Sequence, residues 1–301
     1  MSRSLHLLAS AKVNWSLEVL GRRDDGYHEV RTVLQTIALA DCLTLTPAEG
    51  VTLSLGGEAG YLATEPTAEN LAYRAAELLR ERTGYGGGGH IEIEKHVPVA
   101  AGLGGGSSDA AATLRGLREL WELSISDEAL ASLAADLGSD VPFFLRGGTA
   151  LASGWGERLE PLPDCPAQRV VLAWPKPHPL TDKTATMYAA LRRIHLTDGS
   201  RTERLAERLR AGEPVRDEDI LSVFEAVLPE VDPEAAEVFE QAAELGVGQP
   251  HLCGSGPALF YLLAPGQPAE PQVAALERLG LHAAETAALP AAEAVACEEA
   301  R

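Results

Sequence analysis

The sequence predicts an α+β chain of two domains that meet near residue 155, and three observations carry that expectation. Its 301 residues are more than a single hydrophobic core usually fills. A strand, a glycine loop and a helix follow one another between Ile91 and Trp121. Beyond Gly156 the texture changes: Pro161, Pro163 and Pro166 precede an apolar strand, RVVLAW, and several helices run through Leu245. Residues 1–155 are therefore expected as one unit and 156–301 as the other.

In chain order, residues 5–20 read as a strand with polar interruptions and RRDDGY, Arg22 to Tyr27, as a charged turn. EVRTVLQTIAL continues in extended form, and a further strand, CLTLTP, is expected near residue 42. From Glu69 to Arg82, Leu71, Ala75, Leu78 and Leu79 share one helical face, with Gly84 as the stop. GYGGGG, Gly84 to Gly89, reads as a flexible hairpin or connector because no helix start follows it. In IEIEKHV, Ile91, Ile93 and Val97 alternate with charged residues, the period of a half-buried strand. Ala110, Leu114, Leu117 and Trp121 then fall at helical spacing, which places a helix start near Ser108 or Asp109. A second helix over Asp127 to Leu137 aligns Leu130, Leu133, Ala134 and Leu137 and ends at Gly138. Late in the chain, HLCG and PALFYLL pair around Gly254, Ser255, Gly256 and Pro257. A helix near 270–279 and a last strand near 282–287 complete a split β/α layer. No internal repeat is visible.

The segment PVAAGLGGGSSDAAA, Pro98 to Ala112, carries the most chemistry. Gly102, Gly104, Gly105 and Gly106 stand directly before a helix, whose first backbone N–H groups lack partners and carry partial positive charge. Glycine has no Cβ, so such a main chain can turn through positive φ and press against phosphate oxygens. Each glycine is roughly 0.5–1 kcal/mol less favourable than alanine in regular structure. A cluster this dense therefore points to a ligand that needs close backbone approach. Ser107 and Ser108 can cap the helix or help hold a phosphate-bound metal ion. The Walker loop is excluded because no lysine follows the glycines, and G-x-G-x-x-S is a weak match to the Rossmann fingerprint.

Composition bounds the partners. A net charge of -19 repels nucleic acid, so an anionic ligand must be met locally. No apolar run approaches the roughly 18 residues of a membrane span, and LHLLASA near the N-terminus is too short for a secretory signal. Cytoplasmic residence is the expectation. Cys42, Cys165, Cys253 and Cys297 are scattered, with neither a metal-binding nor a disulfide pattern, and read as small buried hydrophobes. Of 25 lysines and arginines only four are lysines: Lys12, Lys95, Lys176 and Lys183. Where arginine serves almost everywhere, a retained lysine suggests a place for a compact ammonium. Lys95, beside the loop, and Lys12, in ASAKVN, are the pointed cases.

Asp140, in LGSDVPFF, is the nearest candidate for activating an acceptor. Val141, Pro142, Phe143 and Phe144 surround it with apolar groups, so its carboxylate needs a partner or a role. It could equally cap the following turn, to which Pro142 is suited. If Lys12 faces it, the pair would stay ionised and place positive charge where a transferred phosphoryl group builds negative charge.

Taken together, AKVN, the glycine loop, GSD at Asp140 and the late GSGP resemble the signature regions of the GHMP kinase superfamily of small-molecule kinases. DGYH, Asp25 to His28, singles out the branch acting on a cytidine-diphosphate-linked methylerythritol, an isoprenoid precursor. The resemblance implies an N-terminal domain like the second domain of ribosomal protein S5 and a ferredoxin-like C-terminal domain, with the site in the cleft between them. ATP, with Mg2+ riding on it, would phosphorylate the 2-hydroxyl of the acceptor. By position, Asp140 would be the general base, Lys12 its charged partner, and Asn14 a substrate contact. Tyr27 and His28 would hold cytosine. Tyr188 would be the opposing wall or else a core tyrosine of its helix. Pro98, Val99, Ala100, Ala101, Gly102, Leu103, Gly104, Gly105, Gly106, Ser107 and Ser108 would wrap the ATP phosphates. Lys95 and Asn70 would lie near the adenosine, though Asn70 can also be a plain helix cap. Thr184, Gly254, Ser255 and Gly256 would approach the acceptor. No protein metal site is implied, and neither a nucleic-acid nor a membrane partner. Ala100 departs from the glycine usual in this loop. A homoserine- or mevalonate-type kinase, or a non-catalytic sensor on the same fold, are the competing readings.

Overall fold

The structure, a computed structural model, describes residues 3–57, 67–165, 168–175 and 183–299; Pro166 and Lys176 lie outside them. The chain opens with two long antiparallel strands, β1 (Leu5–Arg22) and β2 (His28–Ala48), joined by the charged turn. Then come β3 (Thr52–Gly57), α1 (Leu71–Thr83), β4 (Gly88–Lys95), α2 (Gly105–Leu120), α3 (Asp127–Leu137) and α4 (Val141–Phe144). β5 (Thr149–Ser153), β6 (Arg158–Pro161) and β7 (Arg169–Trp174) precede α5 (Lys183–Ala190) and α6 (Ser200–Arg210). The remainder holds β8 (Leu221–Ser222), α7 (Leu228–Val231), α8 (Pro233–Glu244), β9 (His251–Leu252), β10 (Leu259–Leu262), α9 (Glu270–Arg278), β11 (His282–Ala287), α10 (Ala291–Ala294) and β12 (Cys297–Glu299).

Two sheets organise these elements. The larger runs β12-β1-β2-β4-β3, with β5 and β6 extending from β2 and β8 alongside β1; the smaller runs β11-β7-β10-β9. Against the large sheet, α1, α2, α3 and α4 close one core with Leu5, Leu7 and Ala9 of β1. A second core takes Ala11, Val13 and Trp15 of the same strand and joins them to Leu172 and Phe260 of the small sheet.

The switch of faces along β1 has a local cause. The β1/β2 register shifts between Ser10 and Lys12 and again between Asn14 and Ser16. Side chains alternate along a strand, so one extra residue exchanges its two faces. Lys12 and Asn14 thereby come onto the side that carries the glycine loop, while Val13 and Trp15 enter the second core.

Four expectations need correction. β2 is one continuous strand, not two: the further strand expected near residue 42 is its second half, and the fully buried Asp41 carboxylate at the join accepts hydrogen bonds from the backbone N–H groups of His96 and Val97. α2 starts at Gly105, ahead of the predicted Ser108 or Asp109, because Gly104 at φ +75° forms a left-handed N-cap. Neither serine caps it. β11 is not the last strand, since a short β12 pairs with Leu5–Leu7. Cys42 and Cys297 are exposed, whereas Cys165 and Cys253 are buried as expected; all four are free.

α2 packs onto the large sheet through Gly116, where a Cβ would come within 2.3 Å of Leu45 Cδ1 and 2.9 Å of Leu7 Cδ1. Gly116→Ala removes a helix penalty of about 1 kcal/mol, but overpacking a full core costs roughly 1–3 kcal/mol. The expected outcome is a lower urea midpoint for the variant at unchanged denaturant dependence.

Candidate active site

A cleft of about 1670 Å³ is lined by the large sheet and its loops on one side and by α5, Phe224 and the turn at Gly254 on the other. One wall is the loop after β4. Ala100 at φ +55°, Gly102 at +82° and Gly104 at +75° put left-handed residues at alternate positions, the kind of backbone curl that forms anion nests. The first α-helical bond of α2 runs from Ser108 N to Gly104 O at 2.9 Å, so the amides of Gly105, Gly106 and Ser107 have no partner within the helix. They face a cleft at the positive end of the helix dipole, which suits a phosphate group. Ala100 adopts the left-handed turn that glycine would make freely, so the loop keeps its shape at some backbone strain.

Two backbone hydrogen bonds hold the loop from opposite sides. Lys12 N donates to Leu103 O at 2.9 Å, and Ala258 N donates to Ala101 O at 3.2 Å. Gly102 lies so near the second glycine turn that a Cβ there would stand 2.0 Å from Cys253 O. Gly254 is equally hemmed in, its Cβ position lying 3.0 Å from Gly102 O and 3.1 Å from Lys12 Nζ.

At this junction Lys12 and Asp140 meet. Lys12 Nζ donates to Asn14 Oδ1 at 2.8 Å and lies 3.8 Å from Asp140 Oδ2. Asn14 Nδ2 in turn donates to Thr32 Oγ1 at 2.8 Å, whose hydroxyl donates to Ser16 O at 2.6 Å, so the ammonium sits at the end of a fixed chain. Asp140 begins α4 but its side chain makes no cap hydrogen bond, leaving a cleft-facing carboxylate 36% exposed. The capping role is therefore not the one it fills. Phe144, at the other end of α4, packs its ring where a Gly104 Cβ would otherwise go, and its carbonyl accepts from Arg115 of α2.

An aromatic group closes the far end. His28 stacks on Tyr188 with ring centroids 5.0 Å apart, Tyr188 meets Phe224 edge-on, and Tyr27 leans on Trp155 at 5.5 Å. Burial, and then the Arg22 charge, push the His28 pKa down, which favours its neutral ring. Burial and the nearby Asp140 charge push the Tyr188 phenol up. Thr184 Oγ1 and Ser255 Oγ lie 3.0 Å apart and join the two neighbouring segments.

Most predicted residues line this one cleft: Lys12, Asn14, Tyr27, His28, Asn70, Lys95, Pro98, Val99, Ala100, Ala101, Gly102, Gly104, Gly105, Gly106, Ser107, Asp140, Thr184, Tyr188, Gly254 and Ser255. Three do not. Leu103 is in the core, Ser108 Oγ donates to Ser10 O at 2.7 Å, and Gly256 packs on Leu252. Asn70 accepts from Ala72 N at 2.9 Å, so it does cap α1 while lining the cleft. Lys95 holds two buried carboxylates, Asp41 and Asp109. The sequence reading missed Trp155; its only signal was an aromatic between two glycines, GWG. It missed Asp41 and Asp109 too.

Residues 70–148 match the model for the GHMP kinases N terminal domain. That segment holds the phosphate loop and Asp140, so fold and site together define a small-molecule kinase that takes its phosphate from ATP. The chain is 44% identical over 272 residues to a 4-diphosphocytidyl-2-C-methyl-D-erythritol kinase of Pelotomaculum thermopropionicum, covering 90% of this chain and 93% of that one. To the protein of that name from Heliobacterium modesticaldum it is 42% identical, covering 91% and 90%. A crystal structure of a 4-(cytidine 5'-diphospho)-2C-methyl-D-erythritol kinase superposes with a TM-score of 0.76 at 38% identity, covering 94% of this chain and 98% of that one. The chain belongs to the 4-diphosphocytidyl-2-C-methyl-D-erythritol kinase family. A homoserine kinase from Cytophaga hutchinsonii shares the fold, with a TM-score of 0.72 at 18% identity.

A methyl group at Gly102 would collide with the Cys253 carbonyl in a backbone conformation that disfavours any side chain. Gly102→Ala should therefore spread the two glycine turns and lower kcat by about 10²-fold, the scale of a 1 Å misplacement. Steady-state kinetics beside a far-ultraviolet circular dichroism spectrum, expected unchanged, checks this.

Proposed function

We propose that this cleft transfers the γ-phosphoryl group of ATP to the 2-hydroxyl of 4-diphosphocytidyl-2-C-methyl-D-erythritol, giving the 2-phosphate and ADP. The observation that carries it is the meeting of Lys12 and Asp140, 3.8 Å apart, between a phosphate loop and an aromatic end. The amides of Gly105, Gly106 and Ser107 would receive ATP phosphate oxygens. Asp140 would accept the proton of the acceptor hydroxyl as the oxygen attacks phosphorus. Lys12, aimed by Asn14, would stabilise the charge that builds on the transferred group. Tyr27, 60% exposed and backed by Trp155, would stack on cytosine, and His28 would hydrogen-bond its edge. Thr184, Ser255 and Gly254 would meet the diphosphate, with Tyr188 as a wall beside His28.

Among the described residues no cluster of three or more His, Cys, Asp or Glu could hold a metal ion. Mg2+ would arrive on the nucleotide phosphates, and Ser107, which lines the cleft, would lie beside it. Bound there, Mg2+ would neutralise phosphate charge and orient the γ-phosphoryl group. We further read residues 1–155 as the ribosomal protein S5 domain 2-like part and 156–301 as the ferredoxin-like part. In support, all four strands of the small sheet come after residue 155. The net charge of -19 favours a chain without a nucleic-acid partner. No helix among the described residues is long and apolar enough to cross a membrane, which accords with the cytoplasmic reading.

Purified protein given ATP and this acceptor should form ADP and phosphorylated acceptor in equal amounts, with neither homoserine nor mevalonate turned over. The reverse preference would overturn the assignment, and ATP binding without turnover would favour a sensor. Asp140→Asn should lower kcat by about 10² to 10⁴ while leaving ATP binding intact; unchanged kcat would remove Asp140 from its role.

A further inference from the structure

Beneath the phosphate loop lie three buried charges that the chemistry above does not use. Asp41 Oδ1 accepts from His96 N at 2.6 Å and Val97 N at 2.8 Å, and its Oδ2 accepts from the Lys95 ammonium. The same ammonium donates to Asp109 Oδ2 at 2.7 Å. Lys95 to Val97 lead into the loop from β4, and Asp109 sits in α2, which leaves it. One ammonium thus pins both ends of the 98–104 segment. It also lies close under the first residue of α2, 3.4 Å from where a Gly105 Cβ would stand.

Such a group is a poor device for stability alone. Burying two carboxylates around one cation carries a desolvation penalty that well-packed apolar side chains would avoid. Burial pushes the Asp109 carboxyl up from its ordinary range, the Lys95 charge opposing the rise and Asp41 adding to it, and Asp109 Oδ1 has no hydrogen-bond partner among the described residues. What charged hydrogen bonds supply is fixed distance and direction. The loop needs both, because the glycines at 102, 104, 105 and 106 bring no side chains of their own and leave Ala101 and Leu103 as its apolar anchors.

We propose that Lys95, Asp41 and Asp109 are positioning residues for the nucleotide: they hold the ends of the loop at the spacing at which the amides of Gly105, Gly106 and Ser107 meet the phosphates. Lys95 then acts from below through two carboxylates and not as a direct phosphate ligand. The inference rests on the reading of this loop as the ATP site.

The test compares wild type, Asp109→Asn and the triple variant Asp41→Asn, Lys95→Met and Asp109→Leu, by steady-state kinetics, calorimetric titration with Mg·ADP, and thermal unfolding. Asp109→Asn should raise the ATP KM and the ADP Kd by about tenfold or more, the scale of a displaced binding group, while the acceptor KM stays within about twofold. The triple variant, which leaves none of the three buried charges and keeps a side-chain oxygen at position 41 for the His96 and Val97 amides, should recover the thermal midpoint of wild type without recovering ADP affinity. Unchanged ADP affinity in Asp109→Asn overturns the proposal. So does a parallel rise of both KM values, or recovery of affinity together with stability. ADP titration needs no acceptor, so a wild type that binds ADP but ignores the proposed acceptor defeats only the acceptor assignment. A wild type that does not bind ADP defeats both.

Discussion

Two glycine turns from distant parts of the chain touch backbone to backbone, and the active site is arranged around that contact. Gly102 lies against the carbonyl of Cys253, and Gly254 lies against the carbonyl of Gly102 and the ammonium of Lys12. A Cβ at Gly102 would strike the Cys253 carbonyl, and one at Gly254 would be tight against Gly102 O in a left-handed backbone that disfavours side chains. The contact joins the loop of the large sheet to the hairpin of the small one, and the hydrogen bond from Ala258 N to Ala101 O locks their relative height. The glycine loop, Lys12 and the turn at Gly254 are therefore one assembly.

Lys12 reaches this junction because of the register of β1. Before the shift at Ser10, alternate apolar residues face α2; after it, Ala11, Val13 and Trp15 turn to the second core and Lys12 and Asn14 turn to the cleft. The register shift also leaves the Lys12 amide free of β2 to hold Leu103 O. A regular strand would have put the ammonium in an apolar core, where burial disfavours charge. From the other side, α4 is set by Arg115 at its end and by Phe144 against Gly104, which brings Asp140 over Lys12. The site thus couples a strand irregularity, a one-turn helix and two glycine turns.

Much of this was legible in the residues themselves. Glycine density before a helical pattern marked the phosphate loop, the rarity of lysine marked Lys12 and Lys95, and the apolar flanks of Asp140 marked it as a carboxylate needing a purpose. The competing reading of Asp140 as a helix cap failed on geometry: its side chain makes no cap bond. Other features depend on contacts that no local pattern encodes. The start of α2 was placed late because glycines carry no helical signal, and the left-handed cap at Gly104 is stabilised by a ring forty residues away in sequence, Phe144. Asp41 gave no sign of its role because its partners, Lys95 at the end of β4 and His96 and Val97 just beyond it, lie more than fifty residues away in sequence. Trp155 was overlooked since only the fold sets it beside Tyr27. Family likeness supplied roles for residues such as Thr184 and Gly254 that composition and spacing left silent.

The central claim is that the acceptor hydroxyl is activated where Lys12 and Asp140 meet. A crystal structure with a non-hydrolysable ATP analogue and 4-diphosphocytidyl-2-C-methyl-D-erythritol bound together tests it most directly. The account predicts the 2-hydroxyl within roughly 2.6–3.2 Å of an Asp140 carboxylate oxygen, in line with a γ-phosphate lying over the amides of Gly105 to Ser107, and cytosine against Tyr27. A hydroxyl placed beside another carboxylate, or a nucleotide whose phosphates lie away from the glycine loop, would contradict it.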